Sequence, residues 1–190
     1  TIILTSNNST NSLNARNLVL IAADTSATSI SQNTSGSYTG LNLNGTLTLN
    51  TTGGVTLAST NNPSLGNVVL SNLSNTTAAI NLSSRGNIAL VSGSAAGSVS
   101  LTSGTVGQNS VPLASTITLG NLNVGNLVAR AQNSGNSPDG INNLINGASG
   151  NISQASGSRL HVENILTAVT FNGGNIVLTS NANNAGRVQL

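Results

Sequence analysis

The chain has 190 residues, of which 4% are charged and 1% aromatic, and its formal net charge is +2. An average soluble domain has about 25% charged residues, so this chain has an unusual polar but uncharged composition. Its hydrophobic content of 37% argues against intrinsic disorder, which combines low hydrophobicity with high net charge.

The basic residues do not form a cluster. All five are arginines, and they are spread along the chain as Arg16, Arg85, Arg130, Arg159 and Arg187. Nucleic-acid binding requires clustered cations, and only Tyr38 and Phe171 could stack on bases. We therefore expect no nucleic-acid partner. No apolar run approaches the ~20 residues of a membrane-spanning helix, so we also expect no membrane insertion.

Short predicted strands follow one another along the whole chain. Each has a Gly or polar start and then alternating apolar and polar residues, the period of a strand with one buried face. In chain order they are TIILTSN (1–7), ARNLVLIA (15–22), LNLNGTLTLN (41–50), GGVTLAST (53–60), GNVVL (66–70), AINLSS (79–84), GNIAL (86–90), AGSVSLTSG (96–104), STITLG (115–120), VGNLVAR (124–130), SGNISQAS (149–156), LHVENI (160–165), GGNIVLTSN (173–181) and GRVQL (186–190). No stretch has a helical period, so we predict an all-β fold. The inward-facing side chains are predicted to include Ile88, Leu90, Val99, Leu101, Ile176 and Leu178.

The spacing of these strands predicts a β-solenoid. Glycine-anchored starts recur after 11–12 residues, as from Gly54 to Gly66, or after 20–25 residues, as from Gly150 to Gly174, and such periods are typical of solenoids. We predict a single domain (1–190) with roughly 20–25 residues per coil. Stacking would also explain the composition, because columns of like charges repel whereas stacked Asn side chains hydrogen-bond along the column. Gly would supply positive φ at sharp corners.

One family resemblance is carried by residues 152–190, ISQASGSRLHVENILTAVTFNGGNIVLTSNANNAGRVQL. The succession of GSRLHV, LTAVTFNGGNIVLTS and NNAGRV resembles the shaft of filamentous haemagglutinin-type exoproteins, the large adhesins of the two-partner secretion pathway. The resemblance extends over nearly the whole chain. It implies a right-handed parallel β-helix that is secreted to the bacterial cell surface. The family's amino-terminal secretion domain is not recognisable here, so the resemblance implies a shaft segment.

The sequence contains no catalytic or metal-binding constellation. Its three acidic residues, Asp24, Asp139 and Glu163, lie in distant segments, whereas glycan-cleaving enzymes need paired carboxylates. His161 stands alone at an outward strand position between Leu160 and Val162, and a metal site needs several converging ligands. We expect no enzyme activity, no metal and no cofactor.

Three longer segments interrupt the strand rhythm, at 22–40, 102–116 and 130–149. They contain Tyr38, Arg130 and Asp139. Excursions at the corners of a solenoid would explain such segments without any binding role. Alternatively, loops on a rigid scaffold commonly carry recognition, and the chain would then be a module that binds a surface glycan.

The first and last predicted strands bear on assembly. Ile2 and Leu4 alternate in one, Val188 and Leu190 in the other, where Arg187 is the single charged residue, and neither strand has a Pro-rich cap beside it. Open strand edges template further pairing. We therefore expect a segment of a longer shaft or subunits that self-associate end to end.

The leading functional hypothesis is thus an extracellular structural fibre or adhesin shaft. Glycan binding through the long segments is the alternative. Ice binding is a third hypothesis, because TLTLN and TITLG carry Thr-x-Thr pairs. However, NVVLS, NIALV and NLVAR would break a Thr column.

Overall fold

The computed structural model describes residues 1–5, 12–23, 25–26, 28–32, 40–59, 62–71, 78–104, 115–131, 150–170 and 173–190. Within these ranges the regular structure is entirely β-strand, without a helix, which confirms the all-β prediction. The strands are β1 (Ile2–Leu4), β2 (Ser12–Ala15), β3 (Leu18–Ala22), β4 (Ile30–Gln32), β5 (Gly40–Leu43), β6 (Thr46–Thr51), β7 (Val55–Leu57), β8 (Asn67–Ser71), β9 (Ile80–Ser84), β10 (Ile88–Ser103), β11 (Thr116–Ala131), β12 (Asn151–Gln154), β13 (Leu160–Thr170), β14 (Ile176–Val177) and β15 (Asn184–Gln189).

The strands form a 13-stranded sheet and a separate pair, β2 with β5. Every strand pairing among the described residues is parallel. The chain therefore leaves one strand and returns in the same direction to place a later strand beside it, and we call each such return a pass. The ladder that begins at β1 aligns, in order, Ile2, Ile30, Val55, Ile80, Val99, Leu127, Leu166 and Val188. Apolar residues are therefore stacked on apolar residues from one pass to the next.

The length of a pass varies more widely than the predicted 20–25 residues. Val99 follows its ladder partner Ile80 by 19 residues, whereas Leu166 follows its partner Leu127 by 39. The long pass contains residues 132–149, which lie outside the described ranges. On either side of them, Ala131 pairs with Thr170 and Asn151 pairs with Thr116.

All three predicted loop segments contain strand residues, and the segment 102–116 contains the end of β10 and the start of β11. Ile30–Gln32 within the segment 22–40 forms β4, with Ile30 fully buried and Gln32 5% exposed. Arg130 also lies in a strand, β11, where it pairs with Thr102 and Val169. Arg130 ends the predicted strand VGNLVAR and also begins the predicted segment 130–149; the structure places it in the strand, whose alternation continues through Arg130 to the buried Ala131.

The core consists of the inward-facing aliphatic side chains of successive passes. Ile88, Leu90, Val99 and Leu101 are fully buried. Ile176 and Leu178 are half-buried and pack against the same core. Burying an aliphatic side chain contributes about 1.5–3 kcal/mol, so the stacked apolar columns are the main stabilising element of the fold.

Asparagine side chains at strand starts link one pass to the next. The Oδ1 atoms of Asn17, Asn87 and Asn151 accept hydrogen bonds of 2.8–2.9 Å from the backbone N–H groups of Thr46, Thr116 and Asn175, respectively. Each bond satisfies a backbone N–H at the start of a strand in the next pass, where an unpaired amide would carry a free-energy cost. This contact gives the recurrent Asn before the apolar residues a structural role.

The Gly that precedes Asn in the repeated phrase has two different roles, only one of which is the predicted positive φ. Gly66 does adopt positive φ, at 65°. Gly174 is not among the positive-φ glycines of the described residues, but a Cβ atom there would overlap the carbonyl oxygen of Gly150 in the preceding pass. Close approach of two backbones, rather than φ, therefore excludes a side chain at Gly174.

Two amide pairs, one fully buried and one partly buried, also connect neighbouring passes. Asn62 is fully buried, and its Oδ1 accepts hydrogen bonds from Gln32 Nε2 (2.8 Å) and from the Leu41 N–H (2.9 Å). Its Nδ2 donates to Gln32 Oε1 at 3.1 Å. Gln154 and Asn183 make the same double contact at 2.8 and 2.7 Å. We call these two contacts the amide clamps.

Candidate functional site

A polar hollow lies on the outer surface where β10, β11 and the start of β13 run side by side. Its volume is ≈ 490 Å³, and it is lined by Gly93, Asn121, Leu122, Asn123, Arg159 and His161. A second hollow of ≈ 200 Å³ is lined by Ser94, Ala95, Ala96, Asn123, Val124, Gly125 and Glu163. Because the two hollows share Asn123, we treat them as one site and call it the outer groove.

Small residues of β10 line one side of the outer groove. The run 93–96 reads Gly-Ser-Ala-Ala. Gly93 occupies a ladder position between Leu70 and Leu122, and a Cβ atom there would lie 2.8 Å from Leu70 Cβ. Gly93 therefore takes an inward position of the ladder and contributes only backbone to the groove.

A tight turn before β13 positions Arg159. Ser158 donates its backbone N–H and its hydroxyl to the Ala155 carbonyl, at 3.1 and 2.7 Å, and Gly157 takes φ of 72°. The Arg159 N–H then donates to Asn121 Oδ1 at 2.9 Å, and the Arg159 carbonyl accepts from the Leu122 N–H at 2.9 Å. The N–H and the carbonyl of Arg159 are thus both bonded to β11, which fixes the backbone of Arg159. Its exposed side chain lies at the groove edge.

A bulge in β13 positions Glu163. The register between β13 and β15 shifts between Val162 and Ile165, and residues 163–165 are all exposed. A Cβ atom on Gly186 would lie 2.6 Å from the Glu163 carbonyl oxygen. The bulged backbone thus fits only because the facing residue has no side chain.

His161 lies between these two residues in the strand. It pairs with Asn123 on one side and Asn184 on the other. Among the described residues, its Nδ1 is buried and has no hydrogen-bond partner. An unsatisfied buried polar atom costs about 1–3 kcal/mol, so His161 is not simply the solvated surface residue that the sequence predicted.

Sequence reasoning treated Arg159, His161 and Glu163 as separate surface residues, and the structure brings all three to one groove. The sequence RLHVE already indicated that these three side chains lie on one face of the strand, because residues at i, i+2 and i+4 of a strand share one face. It went unnoticed because the hollow beside them depends on residues 93–96 and 121–125, which belong to earlier passes.

The predicted end strands lie at the open edges of the ladders. Ile2 and Leu4 are half-buried, Val188 is 51% exposed and Leu190 is 79% exposed. Of the predicted recognition residues, Arg130 is exposed on β11, whereas Tyr38 and Asp139 lie outside the described residues. Glycan recognition by those long segments stays a prediction.

The Thr pairs do not form a Thr column. Thr48 stacks between Val19 and Val69, and Thr118 stacks between Ala89 and Ser153. The described ladders therefore lack the repeated Thr surface on which the ice-binding hypothesis depended.

The described part of the chain contains no group of three or more His, Cys, Asp or Glu side chains arranged to hold a metal ion. It also contains no helix long and apolar enough to cross a lipid bilayer. Comparisons with protein-family models, with curated proteins and with solved structures found no match.

Proposed function

We propose that the chain is a right-handed parallel β-solenoid that forms part of an extracellular shaft on a bacterial surface, and that its two ends accept further coils. The solenoid is supported by the short pass between Ile80 and Val99, which are ladder partners only 19 residues apart. Fully extended, 19 residues would span about 60 Å. Because β9 and β10 occupy nearly all of this stretch, the strands must bend around to return beside their own start. A right hand is the general rule for parallel crossovers.

The observation that carries the shaft proposal is the loss of burial at both ends of the ladders. Ile30 is fully buried, whereas its partner Ile2 in the outermost strand is half-buried. At the opposite end, Leu166 is 3% exposed and its partner Val188 is 51% exposed. A further coil on either end would continue the parallel ladder and bury these side chains. The coil could come from the same polypeptide or from a second copy.

Sedimentation velocity and negative-stain electron microscopy of residues 1–190 test the proposal. We expect concentration-dependent, linear assemblies, and we expect Val188→Lys to weaken the association by about tenfold or more, because it places a charge in an edge contact. Val91→Lys is the matched control, since Val91 is 45% exposed but belongs to the middle strand β10. A wild-type chain that stays monomeric at high concentration would contradict the proposal. Equal effects of the two substitutions would also contradict it.

A further inference from the structure

We propose that the outer groove is a binding site for an extended, neutral oligosaccharide. This site is independent of the end-to-end contacts, because it lies on the side of the molecule, across β10, β11 and β13. The larger hollow, at ≈ 490 Å³, falls within the range of about 300–1,000 Å³ that is usual for small-molecule sites.

The side chains of the groove match a ligand covered with hydroxyl groups. Arg159 supplies only donors, Glu163 supplies only acceptors when ionised, and the amides of Asn121 and Asn123 supply both. His161 can add one donor or acceptor through Nε2, because its Nδ1 is buried. Because hydroxyls donate and accept at the same atom, a sugar chain can satisfy this mixed set along its length.

The strand pairing beneath the groove leaves little room for the common mode of peptide binding. Peptides that add to a sheet need an open strand edge, but β10 is paired with β11 along most of its length and, up to Gly93 and again from Val99, with β8 or β9 on its other side. Likewise, β11 is paired on both sides, with β10 and with β13. Recognition of the ligand therefore falls mainly to side chains. The apolar side chains of Leu122 and Val124 are 4% and 2% exposed, so neither forms an open pocket for a large peptide side chain.

The charge of the groove excludes polyanions as its preferred ligand. Arg159 and Glu163 carry opposite charges, so the groove is neutral overall when His161 is neutral. Sulfated saccharides and nucleic acids are bound by clustered cations, and their binding weakens steeply with salt. We therefore expect a neutral glycan, bound with little dependence on salt.

A glycan microarray carrying both neutral and sulfated oligosaccharides, probed with tagged residues 1–190, tests the assignment. The retained glycan is then titrated by calorimetry against three variants, with folding checked by circular dichroism. Arg159→Gln and Glu163→Gln each remove a charged hydrogen-bonding group, and we expect each to weaken binding by about tenfold or more. Ala96→Leu places a larger, exposed side chain in the smaller hollow, and we expect a comparable loss.

Two matched controls separate the groove from the rest of the surface. Arg16→Gln changes an exposed arginine in another part of the chain, and Ala89→Leu enlarges an outward position of β10 away from the groove. Both should bind like the wild type. The assignment is overturned if the array retains no neutral glycan, or if only sulfated glycans or nucleic acids bind. It is also overturned if the groove variants bind as tightly as the controls. None of these outcomes depends on whether the chain polymerises.

Discussion

Replacing Asn62 by Ala should be among the most damaging single substitutions in this chain. Asn62 is fully buried, and its side chain has five hydrogen-bonding contacts, in which the two protons of Nδ2 are shared among three acceptors. Two of them join Gln32, one accepts the Leu41 N–H, and two donate to the carbonyls of Leu57 and Ser83 at 3.3 and 3.0 Å. Alanine removes all of these contacts and leaves the Gln32 amide, the Leu41 N–H and the two carbonyl groups without their Asn62 partner.

The expected cost follows from this inventory. A typical hydrogen bond contributes a net ~1 kcal/mol, and a buried group left unsatisfied costs about 1–3 kcal/mol. Allowing for non-additivity among neighbouring bonds, we expect a loss of about 3–5 kcal/mol in unfolding free energy. Asn183→Ala is the matched control, because Asn183 makes the equivalent contacts with Gln154 and with the Leu160 N–H but is only half-buried. At this half-buried position, water can replace part of the hydrogen bonding that Asn183→Ala removes. We therefore expect a smaller loss of about 1–2 kcal/mol in unfolding free energy.

Urea denaturation followed by circular dichroism measures the global loss. Native-state hydrogen exchange measures the local effect, which matters because repeat structures need not unfold in one step. In Asn62→Ala the Leu41 amide should lose protection while the Leu160 amide keeps it, and Asn183→Ala should show the reverse. A cost below about 1 kcal/mol for Asn62→Ala, or unchanged exchange at Leu41, would refute the argument that the amide clamp stabilises the fold.

Three further predictions concern the core, the close backbone contacts and the whole chain. Leu90→Asp should prevent folding at ordinary temperature because it buries an unpaired charge, whereas Val91→Asp at the neighbouring exposed position should change the melting temperature little; equal melts would contradict the assigned core. Gly174→Ala should lower the melting temperature, because its Cβ would overlap the Gly150 carbonyl oxygen. Gly157→Asn should be tolerated, because nothing lies within 4 Å of that position and Asn accepts positive φ; a reversed order would contradict the glycine assignment. Circular dichroism of residues 1–190 should give a β spectrum, and a strong helical signal would contradict the all-β fold.

The period-2 alternation was enough to predict the class of fold and much of the core. It works where the inward positions are aliphatic, as at Ile88 and Leu90, because a strand with one buried face must alternate. It failed at β4, where the last inward residue is Gln32. A buried polar side chain is stable only when it is hydrogen-bonded, and the partner of Gln32 is Asn62, 30 residues away. No local pattern contains that information, so the strand was assigned to a loop.

The outer groove could not be predicted for a related reason. Its residues come from three passes of the chain, and the register between those passes is set by irregularities rather than by a fixed repeat. The register shifts between Ala95 and Ser98 in one ladder and between Val162 and Ile165 in another, and each shift moves a side chain relative to its neighbour. A strict period would instead have stacked like upon like and left a uniform face. The same departures from the period that obscure the site in the sequence therefore create it in the structure. This is why the groove, rather than the regular faces, is the better place to look for specific recognition.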